Sequence, residues 1–249
     1  MNSLTILCTA AALCAQPKDA YKEAGDDFGS ISGQIVWEGE RPAAKPDLVM
    51  EDKATQGCKH DTAGLDKKDD TLLIDAQGGV ANVVLTLEVA GAERKVPAEP
   101  IVLDQHGCRF HPHVLVVPVG ATLRFGNNDE TNHNIHTLAR KNTQVNKNIA
   151  GGSNFDQLLD KAEVIDIKCD IHTWMKGYVF VTDATHWATS GADGKFKIEG
   201  LPPGEYELSW WHEELGKGKT EKIKVEAGKE AMLEQKVSAE KKAGGARRR

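Results

Sequence analysis

Apolar residues alternate with polar ones along most of the chain, and this period of two is typical of half-buried β-strands. The clearest run is Ile31, Gly33, Ile35 and Trp37. The same pattern predicts strands at 31–37, 83–89, 101–103, 114–117, 122–125, 155–159, 164–169, 178–181, 196–198, 206–210, 223–225 and 233–237. Residues 141–153 are polar and predict a loop, and no segment has the 3.6-residue period of a long amphipathic helix. The sequence therefore predicts an all-β protein.

The chain has 249 residues, which is enough for one or two domains with sizeable cores. Its net charge is −6 although it ends in three arginines. Binding to nucleic acid needs a cationic face that displaces counterions, so this acidic body argues against a nucleic-acid partner.

The first residues predict export. Leu4–Ala15 is an apolar run that is too short to cross a bilayer, and charge begins only at Lys18. Residues 1–15 are therefore interpreted as a signal peptide, which implies a periplasmic or extracellular protein. No other stretch is apolar enough to be a transmembrane segment, and residues 239–249 are interpreted as a disordered basic tail.

Two segments carry the ligands of a metal site. Cys169, His172 and Met175 lie within seven residues between two predicted strands, and His133 lies in the asparagine-rich stretch 127–136. Soft sulfur ligands beside imidazoles favour copper, and two His, one Cys and a weak axial Met form the blue-copper arrangement. Side chains alternate along a strand, so Cys169 should share the core-facing side of Ile165 and Ile167.

The pairing of these motifs resembles the cupredoxins over residues 98–183, and the Cys-x2-His-x2-Met spacing is similar to the amicyanin type. The resemblance implies a Greek-key β-sandwich with one copper ion that cycles between Cu(I) and Cu(II). His133 and His172 would be the imidazole ligands, Cys169 the thiolate and Met175 the long axial ligand. The implied function is transfer of single electrons.

The resemblance also implies roles for neighbours of the ligands. Asn134 would tie its strand to the Cys loop through Asp170 or Thr173, whereas His136 would not bind metal. The His172 ring edge would reach solvent through an apolar patch of Ile171 and Trp174, where a redox partner such as a c-type cytochrome docks.

A second resemblance concerns the remainder of the chain. Residues 191–210 alternate on both sides of the turn at Pro202 and Pro203, which is similar to carboxypeptidase-regulatory-like (transthyretin-like) β-sandwiches. We predict a discontinuous sandwich of residues 29–95 plus 184–238, with a cupredoxin domain at 96–183 inserted into it. The alternative is two sandwiches packed against each other.

Three cysteines remain after removal of the leader, namely Cys58, Cys108 and Cys169. In an oxidising compartment this number favours one disulfide, Cys58–Cys108, with Cys169 kept for metal. The alternative is a second metal site built from Cys58, His60, His106, Cys108, His111 and His113.

No Ser/His/Asp arrangement, phosphate-binding glycine loop or paired carboxylates indicate catalysis, and the four copper ligands leave no open position. The sequence thus predicts a copper electron carrier rather than an enzyme. Two alternatives remain: a copper storage or delivery module, and a structural β-sandwich with a vestigial site. Oligomeric state is not predicted.

Overall fold

The computed structural model describes residues 27–51, 53–58 and 64–239. The predicted leader and the tail from residue 240 onward lie outside these ranges. The described residues contain strands and turns but no helix, so the predicted all-β class is confirmed and none of these residues forms a helix able to span a membrane. The strands are β1 Gly29–Trp37, β2 Val84–Leu87, β3 Ile101–His106, β4 Arg109–His111, β5 Val114–Pro118, β6 Thr122–Gly126, β7 His133–Thr137, β8 Asn146–Ile149, β9 Asn154–Leu158, β10 Glu163–Lys168, β11 Lys176–Thr182, β12 His186–Thr189, β13 Lys195–Leu201, β14 Gly204–Tyr206, β15 Ser209–His212, β16 Gly216–Lys219, β17 Ile223–Val225 and β18 Glu230–Val237.

Strands β3 to β11 form two sheets that enclose one core. The order is β5-β11-β10-β7-β8 in one sheet and β4-β3-β6-β9 in the other. Inward-facing residues of both sheets, including Leu103, Phe125, Ile135 and Ile167, are buried together. The alternation read from the sequence thus places one side of each strand in this core, and Cys169 lies in the same cluster.

The other strands form a second group of sheets with a core of their own. Their orders are β13-β1-β18, β12-β2-β15-β16 and β14-β17. Parallel pairing brings β1 so close to β18 that a Cβ at Gly33 would lie 2.0 Å from the Leu233 carbonyl oxygen, so only glycine fits there. The strands flanking Pro202 and Pro203 do not pair with each other, because β13 pairs with β1 and β14 with β17.

The chain leaves this second group after β2 and returns to it at β12, and the two groups pack against each other. Val84 and Trp187 from one group are buried against Val116 from the other. The Trp211 ring lies 5.5 Å from that of Tyr178, centroid to centroid. The contact surface is therefore apolar and aromatic at its centre.

The apolar alternation missed five short strands, β4, β7, β8, β12 and β16; only the resemblance implied a strand at His133, and β8 lies inside the region predicted as a loop. Three of the four residues of β8 are exposed, and only Ile149 is buried. A polar edge strand of this kind lacks the apolar alternation that identifies half-buried strands. It matters for function because β8 pairs with β7, where Ile149 lies opposite His133.

Candidate metal centre

Three of the four predicted ligands come together where β7 and β10 lie side by side. Pairing of Lys168 with His136 sets the register of the two strands, so Cys169, just beyond β10, comes near His133 at the start of β7. The loop that follows is tight. The Cys169 amide donates to the Met175 carbonyl at 3.2 Å, and the Met175 amide donates to the His172 carbonyl at 2.9 Å.

The imidazoles and the thiol point at one another inside the sandwich. The Nδ1 atoms of His133 and His172 are 2.9 Å apart, and the Cys169 Sγ lies 3.7 Å from the His172 Nδ1. His133 and Met175 are 0% exposed, and Cys169 and His172 are 2% exposed. Met175 begins the chain's return into β11 from this same loop.

The outer nitrogens of both rings are held by acceptors. The His133 Nε2 lies 2.8 Å from the Asp129 Oδ2, and the His172 Nε2 lies 2.9 Å from the Ala54 carbonyl oxygen. A carboxylate and a carbonyl only accept, so each Nε2 carries the hydrogen and donates it. In a neutral ring the Nδ1 then has a free lone pair. This is the tautomer that a histidine needs in order to bind a metal through Nδ1.

Two backbone amides also reach the thiol sulfur. The Asn134 and His172 amides each donate to the Cys169 Sγ at 3.3 Å. Burial alone would raise the pKa of Cys169, but hydrogen bonds from His133, from His172 and from these amides outweigh it and lower the pKa to about 5. Cys169 is therefore a thiolate at neutral pH, the form that binds metals.

The electrostatics of His133 complement those of Cys169. Burial opposes a charge on the His133 ring, but its hydrogen bonds to Asp129 and Cys169 outweigh burial and raise its pKa. A positive charge is thus stabilised between the Asp129 carboxylate and the Cys169 thiolate. A proton supplies that charge in the metal-free chain, and a metal cation would take its place.

The role expected of Asn134 is confirmed with Asp170 as the partner. The Asp170 amide donates to the Asn134 Oδ1 at 3.3 Å, which joins β7 to the Cys loop. Asp170 also accepts from the His136 Nδ1 at 2.7 Å on the protein surface. His136 is therefore engaged by a hydrogen bond to Asp170 outside the pocket.

The expectation that the His172 ring edge reaches solvent is wrong. The segment 53–58, called the strap below, lies over that edge and accepts its Nε2–H through Ala54. The strap is fixed further by the Gly57 carbonyl, which accepts from the Glu130 amide at 2.8 Å. Ile171 is 49% exposed as expected, but Trp174 is only partly exposed and donates from Nε1 to the Cys108 carbonyl at 3.0 Å.

The predicted disulfide is confirmed: Cys58 at the end of the strap is bonded to Cys108, and Cys169 is free. The alternative, a metal site built from Cys58, His60, His106, Cys108, His111 and His113, is not assembled among the described residues. His60 lies outside them, His113 pairs with Glu213, and the His111 Nε2 contacts the His106 carbonyl.

Sequence reasoning missed Asp129, Ala54 and the position of Cys108. Asp129 was visible four residues before His133, but only the fold shows that it accepts from that ring. Ala54 acts through its carbonyl, so its side chain gives no signal. The Cys108 sulfur and one ligand nitrogen each of His133 and His172 lie within 4.8 Å of one another.

Similar solved structures include copper proteins. A Cu-containing nitrite reductase (NirK) from Thermus scotoductus is 24% identical and covers 38% of this chain, which spans 25% of that protein, with a TM-score of 0.33. A purple cupredoxin from Nitrosopumilus maritimus is 27% identical, and the match covers 29% of this chain and 81% of the cupredoxin, with a TM-score of 0.26. A reduced amicyanin variant is 22% identical, and the match covers 39% of this chain and 98% of the amicyanin, with a TM-score of 0.32.

One protein family, described as fn3_3, polysaccharide lyase family 4, domain II, matches residues 164–233. That range begins in β10 and runs through β17 into β18, so it includes strands of both groups of sheets. Among proteins with curated descriptions, none matches this chain significantly. The transthyretin-like resemblance of the second sandwich stays a prediction. TM-scores this low do not establish a shared fold, so the chemistry of the pocket has to support any functional assignment.

Proposed function

We propose that the chain is a copper protein that carries single electrons, with His133, Cys169 and His172 as the strong ligands and Met175 as the weak axial one. The observation that supports it most is the pair of Nδ1 atoms 2.9 Å apart, each on a ring whose Nε2 donates elsewhere. Two lone pairs repel at that distance unless a proton or metal cation lies between them.

The donor set favours copper over other metals. A thiolate and a thioether beside two imidazoles suit Cu(I) and Cu(II), whereas carboxylate or carbonyl oxygens would suit Mg²⁺ or Ca²⁺. Copper bound there would supply one-electron chemistry. The chain's part is to hold the ligands in one geometry, and the hydrogen bonds at Asp129, Ala54 and Asn134 do this before any metal arrives.

Burial argues for a carrier rather than an enzyme. All four proposed ligands are buried, and four protein ligands leave no coordination position for a substrate. An electron can cross the few ångströms of packed protein that a substrate cannot. The proposed chain therefore exchanges electrons with a partner without binding the partner's substrate.

A periplasmic or extracellular location fits the same proposal. Disulfides such as Cys58–Cys108 form and persist in oxidising compartments. The proposed partner is a soluble redox protein such as a c-type cytochrome with a basic docking face. The net charge of −6 would attract such a face, so association should be fast and should weaken with salt.

Copper storage is the second candidate, and the strap favours it. With His172 only 2% exposed beneath Ala54, copper would be well retained, as a storage site requires. The two functions differ in what leaves the protein. A carrier gives up an electron and keeps its copper, whereas a storage protein gives up the ion.

The test follows from that difference. The copper-loaded protein is mixed with a c-type cytochrome in a stopped-flow instrument, and copper content is measured after each cycle. The proposal predicts repeated, reversible reduction of the cytochrome with copper retained. Loss of copper to a Cu(I) chelator without cytochrome reduction would support storage instead.

A further inference from the structure

The Cys58–Cys108 disulfide lies against the metal pocket. The Cys108 sulfur is fully buried and lies within 4.8 Å of a ligand nitrogen on His133 and another on His172. While it is bonded to Cys58, this sulfur has no thiolate to offer a metal. A structural disulfide elsewhere in the sandwich would have no such neighbours.

The backbone of Cys108 is held independently of Cys58. Its amide donates to the Asp129 Oδ2 at 2.8 Å, which is the same oxygen that accepts from His133. Its carbonyl accepts from Trp174, whose ring packs at a tilt of 53° against that of His172 with ring centroids 5.2 Å apart. Breaking the disulfide therefore leaves Cys108 attached, through Asp129 and Trp174, to both sides of the pocket.

We infer that reduction of this disulfide converts the pocket into a Cys₂His₂ site for Zn²⁺, with Cys108, Cys169, His133 and His172 as the ligands. A dithiol reductant gives two electrons and two protons to the two sulfurs of the disulfide and itself becomes a disulfide. Cys58 and Cys108 become thiols, and Cys108 releases its proton when it binds the metal.

Four donors of these types are the set that structural zinc sites use, in tetrahedral geometry. Zn–S bonds of about 2.3 Å and Zn–N bonds of about 2.0 Å place sulfur and nitrogen roughly 3.5 Å apart in a tetrahedron. The Cys108 sulfur lies within 4.8 Å of one nitrogen on each imidazole, and the Cys169 Sγ lies 3.7 Å from the His172 Nδ1, so the zinc site requires Cys108 to move toward these nitrogens by about 1 Å. Met175 is not needed, because Zn²⁺ prefers a second thiolate to a thioether.

The inference goes beyond electron transfer, since it gives one pocket two occupants according to the redox state of the compartment. The oxidised chain would hold copper through one thiolate. The reduced chain, before export or under reducing stress, would hold zinc through two. Zinc binding does not depend on the copper site transferring electrons.

Two single variants form a matched pair for the test. Cys58→Ala removes the disulfide and leaves Cys108 free at the pocket, whereas Cys108→Ala removes the same disulfide and leaves Cys58 free. Zinc affinity is measured by competition with a chromophoric chelator, and Co²⁺ is added separately as a spectroscopic probe. We expect Cys58→Ala to bind Zn²⁺ more than tenfold tighter than Cys108→Ala, with Co²⁺ absorption typical of two thiolates instead of one.

Wild-type protein serves as the check on folding. After reduction by a water-soluble phosphine it should match Cys58→Ala, and Zn²⁺ should raise its unfolding temperature more than that of the oxidised form. Equal zinc affinities in the two variants, or one-thiolate Co²⁺ spectra in both, would overturn the inference. The copper spectrum of the oxidised protein is recorded in parallel, so a failure of the copper proposal is seen separately.

Discussion

The imidazole of His172 donates its Nε2 hydrogen to the carbonyl oxygen of Ala54, 2.9 Å away, across a sequence separation of 118 residues. This bond closes the pocket from outside, because the strap that carries Ala54 covers the ring edge facing solvent. It also fixes the tautomer that leaves Nδ1 available inside. If the proposed electron transfer runs through His172, the electron has to cross the strap before it reaches a partner.

Gly57 offers a way to lift the strap without touching a ligand. Its φ of +84° is unfavourable for any L side chain, and an added Cβ would lie 3.0 Å from the Thr131 backbone nitrogen and Cβ. Strain of this kind costs about 1–3 kcal/mol. Gly57→Ala should therefore weaken closure and raise the rate of copper loss to a chelator about tenfold.

The matched control for this prediction is Gly39→Ala. Gly39 has a φ of +90° but nothing within 4 Å of an added Cβ, so it tests backbone strain without the clash. Copper loss from Gly39→Ala should match that of the wild type. Equal rates in Gly57→Ala and Gly39→Ala would mean that the strap does not control access to the pocket.

Asp129 accepts three hydrogen bonds at the pocket. Its Oδ2 accepts from the His133 Nε2 and from the Cys108 amide, and its Oδ1 accepts from the Gly107 amide. Asp129→Asn keeps the shape but turns one acceptor into a donor facing N–H groups. Loss of such a partner of a metal ligand typically lowers metal affinity 10- to 100-fold. Competition with a copper chelator measures the copper affinity of Asp129→Asn and of the wild type. Asp156→Asn, which breaks an exposed pair with Arg124, is the control and should leave copper affinity unchanged.

Copper affinity should fall as pH falls, because a proton competes for His133. Its pKa is raised above the ordinary 6.5, so the ring is protonated below that raised value and must lose the proton to bind metal. Cys169 has a pKa of about 5, so it is already a thiolate in the pH range where His133 titrates. Its protonation competes with copper only when the pH nears 5. One proton corresponds to about a tenfold loss of affinity per pH unit.

The groups that face His133 are Asp129, Cys169 and His172. Removing the Asp129 charge should lower the pKa of His133 and move the onset of the affinity loss to lower pH. Titration of copper affinity from pH 8 to pH 5 in wild type and Asp129→Asn measures both curves. A flat wild-type curve would contradict the assignment of His133 as a ligand.

Met175 should set the redox potential rather than the binding. Leu has nearly the same volume, so Met175→Leu at this fully buried position costs less than about 1.5 kcal/mol of stability. Losing the weak sulfur ligand removes a donor that stabilises Cu(II), so the reduction potential should rise while the colour stays. Voltammetry measures it, with Met232→Leu, at a residue 72% exposed, as the control. An unchanged potential would mean that Met175 is not near the metal.

The pattern of the sequence was sufficient for the strands with buried alternation and for the disulfide, but not for what lies over the site. Ile165 and Ile167 predict strand β10, and they predict that Cys169 faces the core, because side chains alternate along a strand. The strap acts through the carbonyls of Ala54 and Gly57, and backbone groups are the same in every residue. Its position depends on the long-range bond between Cys58 and Cys108, which no local pattern describes.

The central claim is that Cys169 binds copper as a thiolate beside His133 and His172. The most direct measurement is the visible spectrum of oxidised wild-type protein loaded with one equivalent of Cu(II), compared with that of Cys169→Ser. A thiolate bound to Cu(II) in such a site gives intense charge-transfer absorption, so the wild type should be strongly coloured and Cys169→Ser should lose the band. A colourless wild-type Cu(II) protein, or an unchanged band in Cys169→Ser, would contradict the account.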